Sequence, residues 1–295
     1  MLIFEGEGIK GMPRQLPVWK IAVQAYAFVW GQKFAFIKLA SLPFIVFMIG
    51  KFVDLTPIIK HIFHDFGSDT PWFALTLSLT MASTKSLLFI FIITAFSVVW
   101  HRQFLIESET QEIHDLIDWR MRHTKFIIMA TIFGIVGFVL FAPVVWLTKP
   151  LVSVIISSEL IKASELSPLF FIIMVGALLM ALKIAIGALL SARWCLIFPS
   201  IAVDGFISFR QSWNITSGNG LRLTGIIILS TLPIQIAAGI LFKAFPLWEP
   251  FTGFSFLLDG VSYFVITAIG VSALSAAYHR LCTDYSTLTD MFQQR

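Results

Sequence analysis

The chain has 295 residues, of which 57% are hydrophobic and only 13% charged, and its mean hydropathy is +0.86. Because soluble domains carry about 25% charged residues, this composition excludes an ordinary water-soluble globular protein. The net charge of +4 suits anionic lipid headgroups, which we expect as partners, and we expect no nucleic acid to bind.

The N-terminal segment predicts an interfacial helix. The chain begins MLIFEGEG, with acidic residues where a signal peptide would have basic ones, so we expect no cleaved leader. Apolar residues then recur at helical spacing, and this pattern is typical of a helix that lies in the membrane interface. The residues that share its apolar face are Trp19, Val23, Tyr26 and Trp30.

Six apolar segments follow and predict six transmembrane helices. In hydrocarbon the backbone must satisfy its own polar groups, and runs near 20 residues do so as helices. The fold class is therefore an all-α membrane protein. The predicted spans cover residues 34–50, 72–100, 126–147, 169–190, 223–242 and 254–277.

Apart from Lys38 near the start of the first span, three spans each contain one charged residue, and an intramembrane charge is a functional-site hypothesis. Lys183 either extends its side chain to the cytoplasmic surface or faces the bundle interior and pairs with an anion or a carboxylate. Lys85 and Asp259 either pair with each other or mark where their spans meet the interface.

The distribution of basic residues predicts the orientation. Of the 21 Lys and Arg residues, 14 lie on the side that holds both termini, five on the other side, and two within spans. The positive-inside rule places the richer side in the cytoplasm. We therefore predict a multi-pass protein of the bacterial inner membrane with both termini cytoplasmic.

The single domain, residues 1–295, contains a repeated pattern. Three amphipathic segments precede the odd-numbered spans and carry Trp30, Trp119 and Trp213, and the even-numbered spans end in SVVWHR, SARWCL and SAAYHR. We interpret these as three hairpin repeats near residues 17–105, 106–199 and 200–285, each opening with an interfacial helix. An aromatic belt combined with the positive-inside bias would give a similar pattern without a repeat.

Basic residues at the span ends form the candidate site. If the repeats surround an axis, these side chains form a ring at the cytoplasmic face that would hold a phospholipid headgroup or another anion, because arginine donates two parallel hydrogen bonds to phosphate. Alternatively, they only determine topology. The residues are His101, Arg102, Arg193, His279 and Arg280.

The stretch SARWCLIFPSIAVDGFISFRQSWNITSGNGLRL resembles a segment of the membrane domain that precedes some glycerophosphodiester phosphodiesterases, and of related stand-alone six-span bacterial proteins. The resemblance is specific over about forty residues and architectural elsewhere. It implies a role in membrane or lipid homeostasis and no catalytic residue, because the phosphodiesterase activity belongs to a separate soluble barrel. The matching residues are Arg193, Pro199, Asp204, Phe209, Ser212, Trp213, Thr216 and Gly218.

No catalytic or metal-binding constellation is recognised in the sequence. We expect no enzyme, no cofactor and no metal, and we interpret the His and Asp residues of the loop 61–69 as solvent-exposed and the two cysteines as reduced. The sequence therefore favours a non-enzymatic accessory protein that contacts lipid or a partner protein. The alternative is a small transporter or channel with a path between the repeats, which would need a polar cavity that includes Lys183.

Overall fold

The computed structural model describes residues 15–52, 71–106, 113–137, 139, 174, 192–244 and 252–293, and the regular structure in these ranges is α-helical. Nine helices of five or more residues are described in these ranges. They are α1 (Val18–Gly31), α2 (Lys33–Phe52), α3 (Pro71–Leu105), α4 (Ile113–Ile117), α5 (121–137), α6 (Ile197–Ala202), α7 (Phe209–Ile215), α8 (Gly220–Ala244) and α9 (Thr252–Gln293).

Four of these helices are long and apolar enough to cross a membrane. The apolar windows are Lys33–Gly50, Leu88–Leu105, Gly220–Leu241 and Phe256–Cys282, in α2, α3, α8 and α9. They agree with the first, second, fifth and sixth predicted spans. The third span is helical as far as residue 137, and the fourth lies almost wholly outside the described residues. The chain is a multi-pass helical membrane protein, and the count of six spans stays a prediction.

An aromatic core joins α2, α3 and α9. Phe36 contacts Trp100 and Phe47 contacts Phe89, so α2 and α3 run antiparallel. The Phe96 ring packs edge-on against Phe264 of α9, with centroids 5.5 Å apart. Phe96, Trp100 and Phe264 are all fully buried. Aromatic pairs in this geometry stabilise by about 0.5–1.5 kcal/mol beyond the area they bury.

The indole of Trp100 ties α3 to α9 with polar contacts. Its Nε1 donates to the carbonyl of Ala268 at 3.0 Å and to the hydroxyl of Ser272 at 2.9 Å. One turn of α9 further on, His101 Nδ1 and Ser275 Oγ are 2.7 Å apart. Trp100 and His101, two successive residues of the span-end motif SVVWHR, therefore connect α3 to α9.

The predicted interfacial helix is present as α1, and its apolar stripe faces outward, with one correction. Trp19 and Trp30 are more than two-thirds exposed, whereas Ile21 and Ala25, on the opposite face, are buried against α8 and α9. Tyr26 was grouped with Trp19, Val23 and Trp30 on one apolar face, but its hydroxyl donates to the carbonyl of Ser230 in α8 at 2.7 Å. The correction follows from the composition of α1, because both of its faces are apolar.

Large apolar side chains cover the outside of the spanning helices. Soluble monomers rarely expose contiguous apolar patches larger than a few hundred Å², and here they continue along several helices. This surface is expected where lipid replaces water. Exposed examples are Ile45, Ile49, Phe91, Ile128, Ile236, Ile240 and Val261.

Candidate functional site

The arginine-rich end of the bundle is built around a helix break after the fourth predicted span. Residues 192–194 are helical, a turn follows at 195–196, and α6 then begins. The carbonyl of Arg193 lies at this break, where a helix end leaves acceptors without intrahelical partners. The Ser212 hydroxyl of α7 donates to this carbonyl at 2.7 Å. A capping box between Ser208 and Gln211 fixes the start of α7, the helix that carries Ser212.

The guanidinium of Arg193 is stacked on an exposed tryptophan. Its central carbon lies 4.6 Å from the centroid of the Trp213 ring, which is the geometry of a cation–π contact. The side chain also passes the first residue of α8, because a Cβ on Gly220 would lie 2.7 Å from Arg193 Nε. Glycine at position 220 therefore leaves the space in which the guanidinium lies.

The tryptophan of each predicted repeat has a basic residue against its ring. Lys33 Nζ lies 5.4 Å from the Trp30 ring, and Arg193 lies over Trp213 as described. In the second repeat, the His123 ring stacks on Trp119 with centroids 4.9 Å apart. All three tryptophans are exposed. This shared arrangement was not predicted, because the basic residues are at different spacings from their tryptophans.

His123 differs from the other two basic residues because it is uncharged at neutral pH. Its side chain is buried, and this burial lowers its pKa from the usual value for histidine. Its Nδ1 accepts a hydrogen bond from the backbone N–H of Arg120 at 3.1 Å, so the ring proton resides on Nε2. Of the three tryptophans, Trp30 and Trp213 therefore have a permanent cation against the ring, which is Lys33 and Arg193 respectively.

A second charged cluster surrounds Asp204, which follows α6. The N–H of Gly205 donates to the carbonyl of Ser200 at 2.9 Å, and the N–H of Asp204 donates to the carbonyl of Ile201 at 3.1 Å. This pair of hydrogen bonds is the Schellman arrangement at a helix end. Asp204 has φ of 61°, a left-handed conformation that costs a non-glycine residue about 1–2 kcal/mol. Asp204 Oδ2 accepts from Arg122 at 2.6 Å and from Arg102 at 3.1 Å.

The predicted ring residues have separate neighbours. His101 is 1% exposed and bonds to Ser275, so protein surrounds its ring in this conformation. Arg102 forms an ion pair with Asp204, and the guanidinium of Arg193 lies over the Trp213 ring. At the third repeat's span end, Arg280 reaches Gln24 of α1 at 3.5 Å and His279 is exposed. A shared ring and its contact with lipid stay predictions.

The intramembrane charges are described only in part. Asp259 lies in α9 and is partly exposed, next to Gly260, which packs against Phe44 and Phe47. Lys85 lies in α3, but its side chain is outside the described residues, and so is the whole of Lys183. Both predictions about these lysines are therefore untested. The histidines and aspartates of the loop 61–69 also lie outside the described residues.

An N-terminal strap is held against α8 by residues that the sequence did not single out. The strap is Gln15–Pro17. The backbone N–H of Leu16 donates to Asn219 Oδ1 at 3.0 Å, and Arg222 donates to the carbonyl of Leu16 at 3.1 Å. Asn219 directly precedes α8 and its own carbonyl accepts from Leu223, so it also caps that helix.

Comparisons of the chain with models of protein families, with curated proteins and with solved structures found no match. The fold and the apolar surface define the class, an integral multi-pass α-helical membrane protein. The similarity to the phosphodiesterase membrane domain stays a prediction. Several residues that carry it form one connected unit, in which Ser212 and Trp213 hold Arg193 and a left-handed Gly218 ends the turn before α8.

Proposed function

We propose that this protein is a non-enzymatic integral protein of the bacterial inner membrane with an accessory role in membrane or lipid homeostasis. It contacts the phosphates of anionic phospholipid headgroups through basic side chains at its cytoplasmic end. The observation that carries this proposal is the guanidinium of Arg193 stacked on the exposed Trp213 beside the start of α8.

The geometry of Arg193 suits a phosphate. Among the described residues, its guanidinium has no carboxylate within ion-pair distance. The contact with Trp213 leaves the N–H groups of the guanidinium as donors, and arginine can donate two parallel bonds to phosphate oxygens. Tryptophan is enriched at the level of the headgroups. Trp213 therefore supports Arg193 at the depth where phospholipid phosphates lie.

The packing of the bundle favours the accessory role over transport. A transport path needs a polar cavity that admits water, but the interior between α2, α3 and α9 is filled by Phe47, Phe96, Trp100 and Phe264. The charged side chains described at the arginine-rich end lie at the ends of helices and in connections. Lys183, which the transport hypothesis requires, lies outside the described residues.

The proposal predicts that Arg193→Gln weakens retention of phosphatidylglycerol. Charge-assisted hydrogen bonds contribute about 1.5–3 kcal/mol, so we expect the apparent affinity to fall about tenfold or more. The measurement is native mass spectrometry of the purified protein titrated with phosphatidylglycerol, with phosphatidylethanolamine as the reference lipid. Phosphatidylethanolamine has the same phosphate with a compensating ammonium group, so its retention should fall less than that of phosphatidylglycerol.

Arg210→Gln is the matched control. Arg210 is exposed on α7, one helix turn from Trp213, and its removal changes the net charge by the same amount. Arg193→Lys keeps the charge but loses the planar fork, so its affinity should lie between those of Arg193→Gln and the unaltered protein. Equal losses in Arg193→Gln and Arg210→Gln would show that only net charge matters and would contradict the proposal.

A further inference from the structure

One carboxylate oxygen joins the three predicted repeats. Arg102 belongs to the end of the first, Arg122 to the start of α5 in the second, and Asp204 to the beginning of the third. Asp204 Oδ2 lies 3.1 Å from a terminal nitrogen of Arg102 and 2.6 Å from one of Arg122. The sequence separations are 102 and 82 residues.

The two arginines lie inside the protein, and the carboxylate reaches them from outside. The side chains of Arg102 and Arg122 are 12% and 7% exposed, whereas that of Asp204 is 62% exposed. Arg102 is also held independently of Asp204, because it donates to the carbonyl of Ala202 at 3.2 Å. Rotation of the Asp204 side chain into solvent would therefore leave Arg102 in place beside Arg122 and open the acceptor position that the two arginines share.

Asp204 contacts this pair of arginines through a single oxygen. Both described ion pairs use Oδ2, and a phosphodiester, which presents two non-bridging oxygens, could accept from each guanidinium with a separate oxygen. Asp204 also has an unfavourable left-handed backbone, at φ of 61°. A short connection separates the helix end at Val203 from the cap at Ser208, so the strain is confined to this segment.

Two other acids among the described residues, Asp115 and Asp118, lie near a different arginine. Asp118 Oδ2 accepts from Arg120 at 2.6 Å, and this hydrogen bond is the main cause of the raised pKa of Arg120. Asp115 also raises the pKa of Arg120. Asp204 is the only one of the three carboxylates with a described ion pair to both Arg102 and Arg122.

We infer that Arg102 and Arg122 form a second anion site, which the protein's own Asp204 occupies in this structure and which takes the phosphate of an anionic phospholipid when Asp204 leaves. This inference rests on the proposed function, because it assumes that the arginine-rich end faces headgroups. It adds a site distinct from Arg193 and makes Asp204 an internal competitor of the lipid.

The test is the affinity of Asp204→Asn for dihexanoyl phosphatidylglycerol, measured by native mass spectrometry in detergent. Asparagine keeps the size of the side chain and tolerates the left-handed backbone, but it removes the competing charge. We expect the affinity to rise about tenfold, the change that corresponds to 1.4 kcal/mol. Adding Arg122→Gln to Asp204→Asn should abolish the gain. Asp204→Gly, which also removes the strain, should reproduce it if the asparagine variant folds poorly.

Three other results would contradict the inference. Unchanged or reduced affinity in both Asp204 variants would make Asp204 a structural clasp and overturn the inference. Competition by inorganic phosphate at the same concentration as the lipid would assign the site to a free anion rather than to a headgroup. If Arg193→Gln lowers lipid retention while the Asp204 variants change nothing, the proposed function stands and this site alone is rejected.

Discussion

Replacing Trp100 by alanine should destabilise the protein more than any other substitution considered. Truncation of a fully buried tryptophan costs about 3–5 kcal/mol in soluble proteins. Trp100 is completely buried, packs against Phe28, Phe36 and Phe96, and donates to Ala268 and Ser272 of α9. We expect a lower free energy of unfolding in mixed micelles with increasing denaturing detergent, followed by circular dichroism.

Trp30→Ala is the control for this substitution. Trp30 has the same side chain but is 76% exposed, so its removal should change the unfolding transition little. Trp100→Phe keeps an aromatic ring of smaller size and removes the donor. It should cost less than Trp100→Ala but at least about 0.5–1.5 kcal/mol, the usual net contribution of one hydrogen bond. If Trp100→Ala and Trp30→Ala shift the transition equally, the aromatic core between α2, α3 and α9 is incorrect.

Asn219→Ala should release the N-terminal strap from α8. Leu16 is 2% exposed, and its backbone N–H has Asn219 Oδ1 as acceptor, so the substitution leaves a buried donor without its partner. Such an orphaned group costs about 1–3 kcal/mol. The strap would then open more often, and hydrogen exchange at the Leu16 amide should accelerate by about tenfold or more.

Asn214→Ala is the matched control for the strap. Asn214 lies on α7, is exposed, and accepts and donates nothing through its side chain among the described contacts. Its exchange profile should equal that of the unaltered protein. Unchanged exchange at Leu16 in Asn219→Ala would mean that the remaining contacts, chiefly those of Arg222, suffice to hold the strap.

The sequence predicted the spanning helices well because their signal is local. An unbroken apolar run predicts a helix in lipid, and α2, α8 and α9 lie where such runs occur. The position of Tyr26 could not be predicted in this way. Periodicity groups residues on one face of α1, but it does not tell which of two apolar faces meets the next helix. The contact with Ser230 decides this, and it joins residues 204 positions apart.

The charged cluster at Asp204 could not be predicted either, because its members are far apart in the sequence. Asp204 and Gly205 form a dipeptide typical of turns, and this local signal was present. The partners Arg102 and Arg122 are on distant segments, and nothing in their own surroundings indicates a pair. Repetition also misleads here, because His101 and His279 occupy equivalent pattern positions but only His101 is buried, against Ser275.

The most direct test of the account is the side of the membrane on which the arginine-rich end lies. In a Cys195→Ala/Cys282→Ala background, single cysteines at positions 210 and 149 are treated with a membrane-impermeant maleimide in intact spheroplasts and after lysis. We predict that the thiol at 149 reacts in intact spheroplasts and that the thiol at 210 reacts only after lysis. Labelling at 210 from outside would contradict the orientation and the headgroup contacts proposed for the inner leaflet.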